Sequence, residues 1–393
     1  MDKHETTLAT QAVHAGDIPR PVNQPASLPI YQSAGWAFRD LDEVDAVYEH
    51  RVPGAIYGTD GLPNTLALEA QLASLEGAQS VVVTSGGMSA LLATFLGVLR
   101  QGDRIVASRD LYGNSVRLMQ HLARFGVSAE FLDATDLDVV RRALAMPARL
   151  VLVETISNPR MRVADVPVLA DIAHERGALL LADNTLATPW HCRPLALGAD
   201  LVMESATKFL SGHHDVVIGA VGGARELVEP IRTLAVRSSI VPGAFDAWLS
   251  TRSVSSVTLR VERESANAAR VAGWLAHHPK IRVVHYPGLE SHPDHAVARR
   301  VLVNGFGPML SFEIDGGAAA VNRLLGKLEL IKLVLSFGGV GTTLAHPAKS
   351  SHRALSAEER AALGIHDGFL RLSVGIEAVE DIEGDLKRGL DAI

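Results

Sequence analysis

The chain has one cysteine, Cys192, so no intramolecular disulfide can staple it. Set in TPWHCRPLALGAD beside an expected turn, that thiol suits packing better than chemistry. No long Lys/Arg run occurs and the net charge is -7, so the basic footprint that nucleic acid or an anionic membrane requires is missing. A small-molecule substrate is the better expectation. No apolar run approaches the roughly 20 residues of a membrane span, and the N-terminal MDKHETTLATQ lacks the apolar centre of a signal peptide. Both absences point to the cytoplasm. There is no glycine fingerprint for a dinucleotide and no phosphate loop ending in Gly-Lys-Ser/Thr, which counts against a nicotinamide oxidoreductase and a P-loop enzyme. No repeat or low-complexity segment is visible, and no metal site is expected.

What is present is a chain of 393 residues, 47% apolar, long enough for a large core and for two domains. From about residue 64 to 221 the runs SVVVTS, RIVASRD, RLVLVET, ALLLAD, LVMES and DVVIGAVGG alternate with helical patterns. Such alternation predicts an α/β fold, with crossover units around a mostly parallel, buried sheet. The first 60 residues carry PRPVNQPASLPIYQ and little periodicity, so 1–60 reads as an arm lying on something else, such as another subunit. The large domain is expected over 61–245. After VPGAFDAW, the helical TLRVERESANAARVAGWLAHHP opens a smaller α/β domain over 246–393.

The chemistry centres on ESATKFLSGHHDVVIG. A lysine at the end of a buried strand, as Lys208 would be, loses hydration; its amine then becomes nucleophilic enough to form a Schiff base with an aldehyde. A lysine snorkelling from a strand end is the plainer alternative. Ser205 and Thr207 alternate, so in an extended segment their hydroxyls would face one side and could hold a phosphate. In VVVTSGGMSALLATFLGVL a strand, a glycine turn and a helix follow in order, which brings backbone amides near Gly87 and Met88 to an anion. Asp183 ends the buried run LLLAD, where open parallel sheets bind ligands; a carboxylate there can pair with a protonated pyridine nitrogen. Tyr112, in DLYGNS, is a flat side chain able to stack on a ring. Lysine, hydroxyls, helix terminus, carboxylate and aromatic together fit pyridoxal 5'-phosphate.

The same residues resemble the transsulfuration group of fold-type-I pyridoxal-phosphate enzymes: cystathionine γ-synthases, cystathionine γ- and β-lyases, methionine γ-lyases and O-acylhomoserine sulfhydrylases. The resemblance runs from TQAVHAGD and LPIYQSAGWAF through LEGAQSVVVTSGGMSA, ETISNP, LADNTLATP and SATKFLSGHHD to RLSVGIE. It implies a large domain with a mostly parallel seven-stranded sheet and a smaller C-terminal α/β domain. It also implies Lys208 as Schiff-base lysine and proton shuttle, Asp183 on the pyridinium, and Tyr112 stacked and near the leaving group. Gly87 and Met88 would hold the phosphate by their amides, with Ser205 and Thr207 adding hydroxyls. Asn158 would stand near the ring hydroxyl and the substrate carboxylate, which Arg371 would grip with Ser336 nearby. Tyr57 would reach a neighbouring subunit's cofactor, in a homotetramer built from dimers that share active sites.

Three positions depart from that pattern, and a fourth is kept. Thr59, followed by Asp60, stands where an arginine usually meets the phosphate, with His213, His214 or Arg51 as compensating candidates. Gly341 replaces a glutamate frequent in members that process cystathionine. Asn114 replaces the cysteine frequent in methionine γ-lyases, and Arg117 keeps a position that could bind a distal carboxylate. The expected activity is γ-elimination from a sulfur-containing L-amino acid, with release of a thiol, 2-oxobutyrate and ammonia. The alternatives are γ-replacement on an O-acylhomoserine and, from another class, a binding or regulatory protein that keeps the fold without turnover.

Overall fold

The computed structural model describes residues 6–16, 25–49, 51–353 and 355–393. The alternating apolar runs form strands β1 (Ser80–Thr84), β2 (Arg104–Ser108), β3 (Ser128–Leu132), β4 (Leu150–Glu154), β5 (Leu179–Asp183), β6 (Leu201–Glu204) and β7 (Gly219–Gly223). They make a seven-stranded sheet in the order β1-β7-β6-β5-β4-β2-β3. Strands β2 to β6 pair in parallel, the product of crossover connections. β7 is antiparallel to both β1 and β6, so the sheet is mixed. No helical crossover separates β6 from β7: the chain turns at Ser205–Ser211, and the apolar DVVI stretch stays outside the strand.

The helix Gly87–Val98 is apolar almost all round because it is covered on both sides. Its Ala90, Leu91, Ala93 and Phe95 pack with Val82 and Met203 of the sheet and with Val228 and Ile231 of the helix Arg225–Arg237. Each large side chain buried there contributes about 1.5–3 kcal/mol from removal of apolar area from water. Truncation of Phe95 to alanine is expected to cost roughly 3–5 kcal/mol.

A second sheet has five strands in the order β10-β11-β12-β9-β8, from β8 (Ile281–His285), β9 (Met309–Ile314), β10 (Lys332–Leu333), β11 (Thr343–Ala345) and β12 (Phe369–Ser373). The helix Val257–Ala276 joins the two bodies. Val257 and Val261 pack into the core beside the large sheet, while Ala268, Val271 and Leu275 pack with Leu310, Phe312 and Leu370 of the second. We propose the division into an arm over 1–60 and domains over 61–245 and 246–393, with the helix Ala244–Val254 lying against Pro63–Glu76 of the large one. Of the arm, the helix Leu8–His14 packs on Pro63–Glu76 through Ala12, whereas Ile30, Tyr31, Tyr48 and Tyr57 are exposed apolar side chains.

Candidate active site

The parallel strands β4, β5 and β6 end together, and their C-terminal residues open onto a cavity of about 430 Å³. Lys208 lies in the turn that follows β6, and its N–H donates to Ser205 O at 3.0 Å. Ser205 and Thr207 therefore sit in a turn rather than in an extended segment; both still line the cavity. The turn is pinned from below by Arg260, whose guanidinium donates to Phe209 O at 2.8 Å and Leu210 O at 2.9 Å. From the second sheet's side, Gly338 has φ +84, and a Cβ there would come within 2.8 Å of the Lys208 carbonyl carbon.

The Lys208 amine donates to Ser336 Oγ at 2.8 Å and stands 4.9 Å from the centre of the Phe337 ring. Its pKa is lowered by burial first and by the neighbouring Arg371 guanidinium second, which enlarges the neutral, nucleophilic fraction. Arg371 is central in β12 and 3% exposed. It donates to Asn158 Oδ1 at 3.2 Å and to Ser336 O at 3.0 Å, while its buried Nε has no partner among the described residues. Burial pulls its pKa down to about 10, so it stays cationic at neutral pH. A buried cation with an unspent donor is suited to an anionic ligand, and a carboxylate matches its planar fork.

Asp183, at the end of β5, accepts from the Thr185 hydroxyl at 2.5 Å and the Thr185 N–H at 3.1 Å. Thr185 Oγ1 in turn accepts from Ser205 N at 2.8 Å, which links the carboxylate to the lysine turn. Burial raises the Asp183 pKa against the two Thr185 hydrogen bonds, so a cation beside it would be favoured. Across the cavity, the helix Gly87–Val98 begins with Gly86 as its cap and no side chain bonded to its first amides. A Cβ on Gly87 would meet the Ser205 side chain at 2.9 Å, so only glycine lets this terminus approach the lysine turn so closely. The Thr207 hydroxyl, by contrast, donates to Ile218 O at 3.0 Å and accepts from Ile218 N at 2.9 Å. That hydroxyl is already engaged by backbone.

The arrangement fits pyridoxal phosphate: a dehydrated lysine, a carboxylate with raised pKa, an uncapped helix terminus cradled by Gly87, and an aromatic wall from Tyr112. Met88 and Asn158 also line the cavity. Tyr57 is 59% exposed and, like Arg117, does not line it within one chain. Neither do His213, His214 and Arg51; Arg51 pairs with Glu49 at 2.6 Å, and His213 Nδ1 lies 2.7 Å from Ser211 O. Gly341 lies in open space, with Glu377 Oε1 the nearest atom to an added Cβ at 3.8 Å.

Sequence reasoning missed Thr185, Glu154, Phe337 and Arg260. Thr185 had a local signal, since Asp-Asn-Thr after a strand is a side-chain-bonded turn. The others become visible only when distant segments meet.

The sequence profile of Cys/Met metabolism PLP-dependent enzymes matches residues 9–391. The chain belongs to this family. It is 40% identical over 397 residues to an L-methionine gamma-lyase of Fusobacterium nucleatum subsp. polymorphum, which covers 100% of both chains. A cystathionine gamma-synthase of Mycobacterium bovis is 38% identical, covering 97% of this chain and 96% of its own. Among solved structures, cystathionine gamma synthase from Xanthomonas oryzae pv. oryzae in complex with cystathionine superposes with a TM-score of 0.93 at 39% identity, covering 98% of each chain. As a Cys/Met-metabolism member the chain is an enzyme that uses pyridoxal phosphate, and small-molecule amino-acid substrates fit that family. Among the described residues no helix is long and apolar enough to cross a membrane, and no cluster of metal-ligating side chains occurs.

Proposed function

We propose that the enzyme carries out γ-elimination on a sulfur-containing L-amino acid, releasing a thiol, 2-oxobutyrate and ammonia. The observation that carries this reading is the convergence of the Lys208 amine, the Arg371 guanidinium and the Asp183 carboxylate on one cavity. Bound there, pyridoxal phosphate supplies an electron sink next to the substrate α-carbon. Asp183 would face its ring nitrogen and Tyr112 its ring face, and Gly87, Met88 and Ser205 would hold its phosphate, beside Thr207, whose hydroxyl stays bonded to Ile218. Arg371, with Asn158 and Ser336, orients the substrate carboxylate. Lys208 would hold the cofactor through its amine, and that amine would move protons at the substrate α- and β-carbons. Tyr112 assists departure of the sulfur group, and Arg117 serves the distal part of a longer substrate. We further propose a cytoplasmic homotetramer in which Tyr57 and the exposed arm complete a neighbour's site; sedimentation should show no fully active monomer.

The test is to incubate the holoenzyme with L-methionine, L-homocysteine, L-cystathionine and O-succinyl-L-homoserine, and to assay 2-oxobutyrate and free thiol. Production of both from a thioether or thiol substrate supports elimination. The likeness to cystathionine gamma-synthases favours a second reading, γ-replacement on an O-acylhomoserine. Thioether product from O-succinyl-L-homoserine plus a thiol, without 2-oxobutyrate from any of the four, would replace the first reading by the second.

A further inference from the structure

Glu154 ends β4 and is the register partner of Asp183 at the end of β5, so two carboxyl groups stand side by side at the cavity wall. Glu154 is 7% exposed. One of its oxygens accepts from Tyr112 N at 2.7 Å, and the other accepts from Asn158 N at 3.0 Å. Tyr112 starts the helix Gly113–Leu122, which has no side-chain cap, and Asn158 meets Arg371 through its own Oδ1. One buried side chain thus fixes the backbone of two loops, those that follow the neighbouring strands β2 and β4.

We propose that Glu154 is a positioning residue that sets the Tyr112 wall and the Asn158–Arg371 pair together, and so links cofactor affinity to amino-acid affinity. This rests on the proposed use of the cavity by cofactor and amino acid. The preference for a carboxyl group follows from hydrogen-bond inventory: the two N–H donors meet different oxygens of Glu154, and a carboxylate presents an acceptor at both positions. Glutamine would turn an NH2 toward one of them, and aspartate is one methylene short. Burial foremost, and then the charge of Asp183, raises the Glu154 pKa, whereas the bonds from Tyr112 and Asn158 oppose that rise. A positive charge placed against Asp183 would relieve the repulsion and tighten both bonds.

The experiment compares wild type, Glu154→Gln, Asn158→Ala and the double variant. Cofactor Kd is read by absorbance as pyridoxal phosphate is added back to stripped protein, and amino-acid Kd by spectral titration of each holoenzyme with L-methionine. Glu154→Gln is expected to weaken both by about 10-fold, the loss typical of a broken charge-assisted bond. In the double variant, L-methionine binding is expected to be no weaker than in Asn158→Ala alone. Additive losses, or a lowered melting temperature with both Kd values unchanged, would overturn the proposal. Glu154→Gln is nearly isosteric and keeps one acceptor, so it is the variant relied on; Glu154→Ala extends the series if it folds. None of these readings requires turnover. Failure of wild type to take up pyridoxal phosphate would overturn the site reading itself, whereas uptake with unaltered variants overturns only the role of Glu154.

Discussion

The Lys208 amine and the Ser336 hydroxyl are 2.8 Å apart, and this contact joins the turn after β6 in the large sheet to the loop after β10 in the small one. The Lys208 nitrogen is therefore held by the opposite body of the molecule. Lys208→Ala is expected to abolish nearly all turnover and to end reductive trapping of the cofactor on the chain by borohydride. Ser336→Ala should keep trapping but lower kcat by about 10-fold, because the amine loses its acceptor and its fixed direction. Substantial turnover by folded Lys208→Ala would remove that lysine from the chemistry.

Asn114 Nδ2 donates to Tyr112 Oη at 2.9 Å. The bond is exposed in one chain, so its worth is modest. Asn114→Ala should lower kcat roughly threefold to tenfold by freeing the phenol, with cofactor Kd unchanged. An unaltered kcat, measured with the best substrate, would leave Asn114 without a part in the reaction.

Arg162 grips Asp294 with two bonds, Nε to Oδ2 at 2.6 Å and NH2 to Oδ1 at 3.0 Å, while Asp294 Oδ2 also accepts from Val163 N at 3.0 Å. The pair ties the loop that follows Asn158 to the start of the helix His295–Val301. Removal of one partner leaves a mostly buried charge uncompensated. Asp294→Ala should therefore cost about 3–5 kcal/mol in denaturant unfolding, and the Arg162→Met/Asp294→Ala pair less than the single change. Equal losses would show that the charge on Arg162 is well solvated without Asp294.

Glu264 is fully buried, and neither of its oxygens has a hydrogen-bond partner among the described residues. Burial pushes its pKa up to about 8, with Glu377 adding to the rise and Arg260 opposing it. A carboxyl whose folded pKa lies above its unfolded value holds a proton in the folded state that the unfolded chain has released. Its stabilising effect is complete below about pH 4.5 and is lost as pH rises through about 8. Glu76, raised to about 7 by burial, acts in the same direction. Thermal unfolding of Glu264→Gln should show a flatter loss of stability between pH 5 and 9 than wild type, and a higher Tm at the alkaline end. Parallel curves would mean that Glu264 does not titrate in this window.

How much of this was legible in the sequence depended on the distance over which each feature is built. The strand-turn-helix around Gly87, the strand ending in Asp183 and the lysine after β6 are local patterns, and they appear where apolar periodicity breaks. The membership of the family was legible in the same motifs. The direction of β7 was not, because DVVIGAVGG has the composition of any buried strand, and only the absence of a helical crossover before it decides orientation. The engagement of the Thr207 hydroxyl by Ile218 was equally hidden, since alternation assumes an extended chain where a turn forms. Glu154 and Arg260 act on backbone groups brought in from other segments, and residue type alone carries no sign of that.

Gly338 touches the backbone of the lysine turn directly, with no side chain between the two segments. On that side the backbone of the lysine turn is therefore located by contact of main chain with main chain, whereas the cavity rim carries exposed side chains such as Leu335 and Val217. Exchange of the rim residues can reshape what enters while the backbone of the lysine turn keeps its place. A scaffold divided in this way can change its preferred amino acid by substitution at the rim without rebuilding its reactive centre.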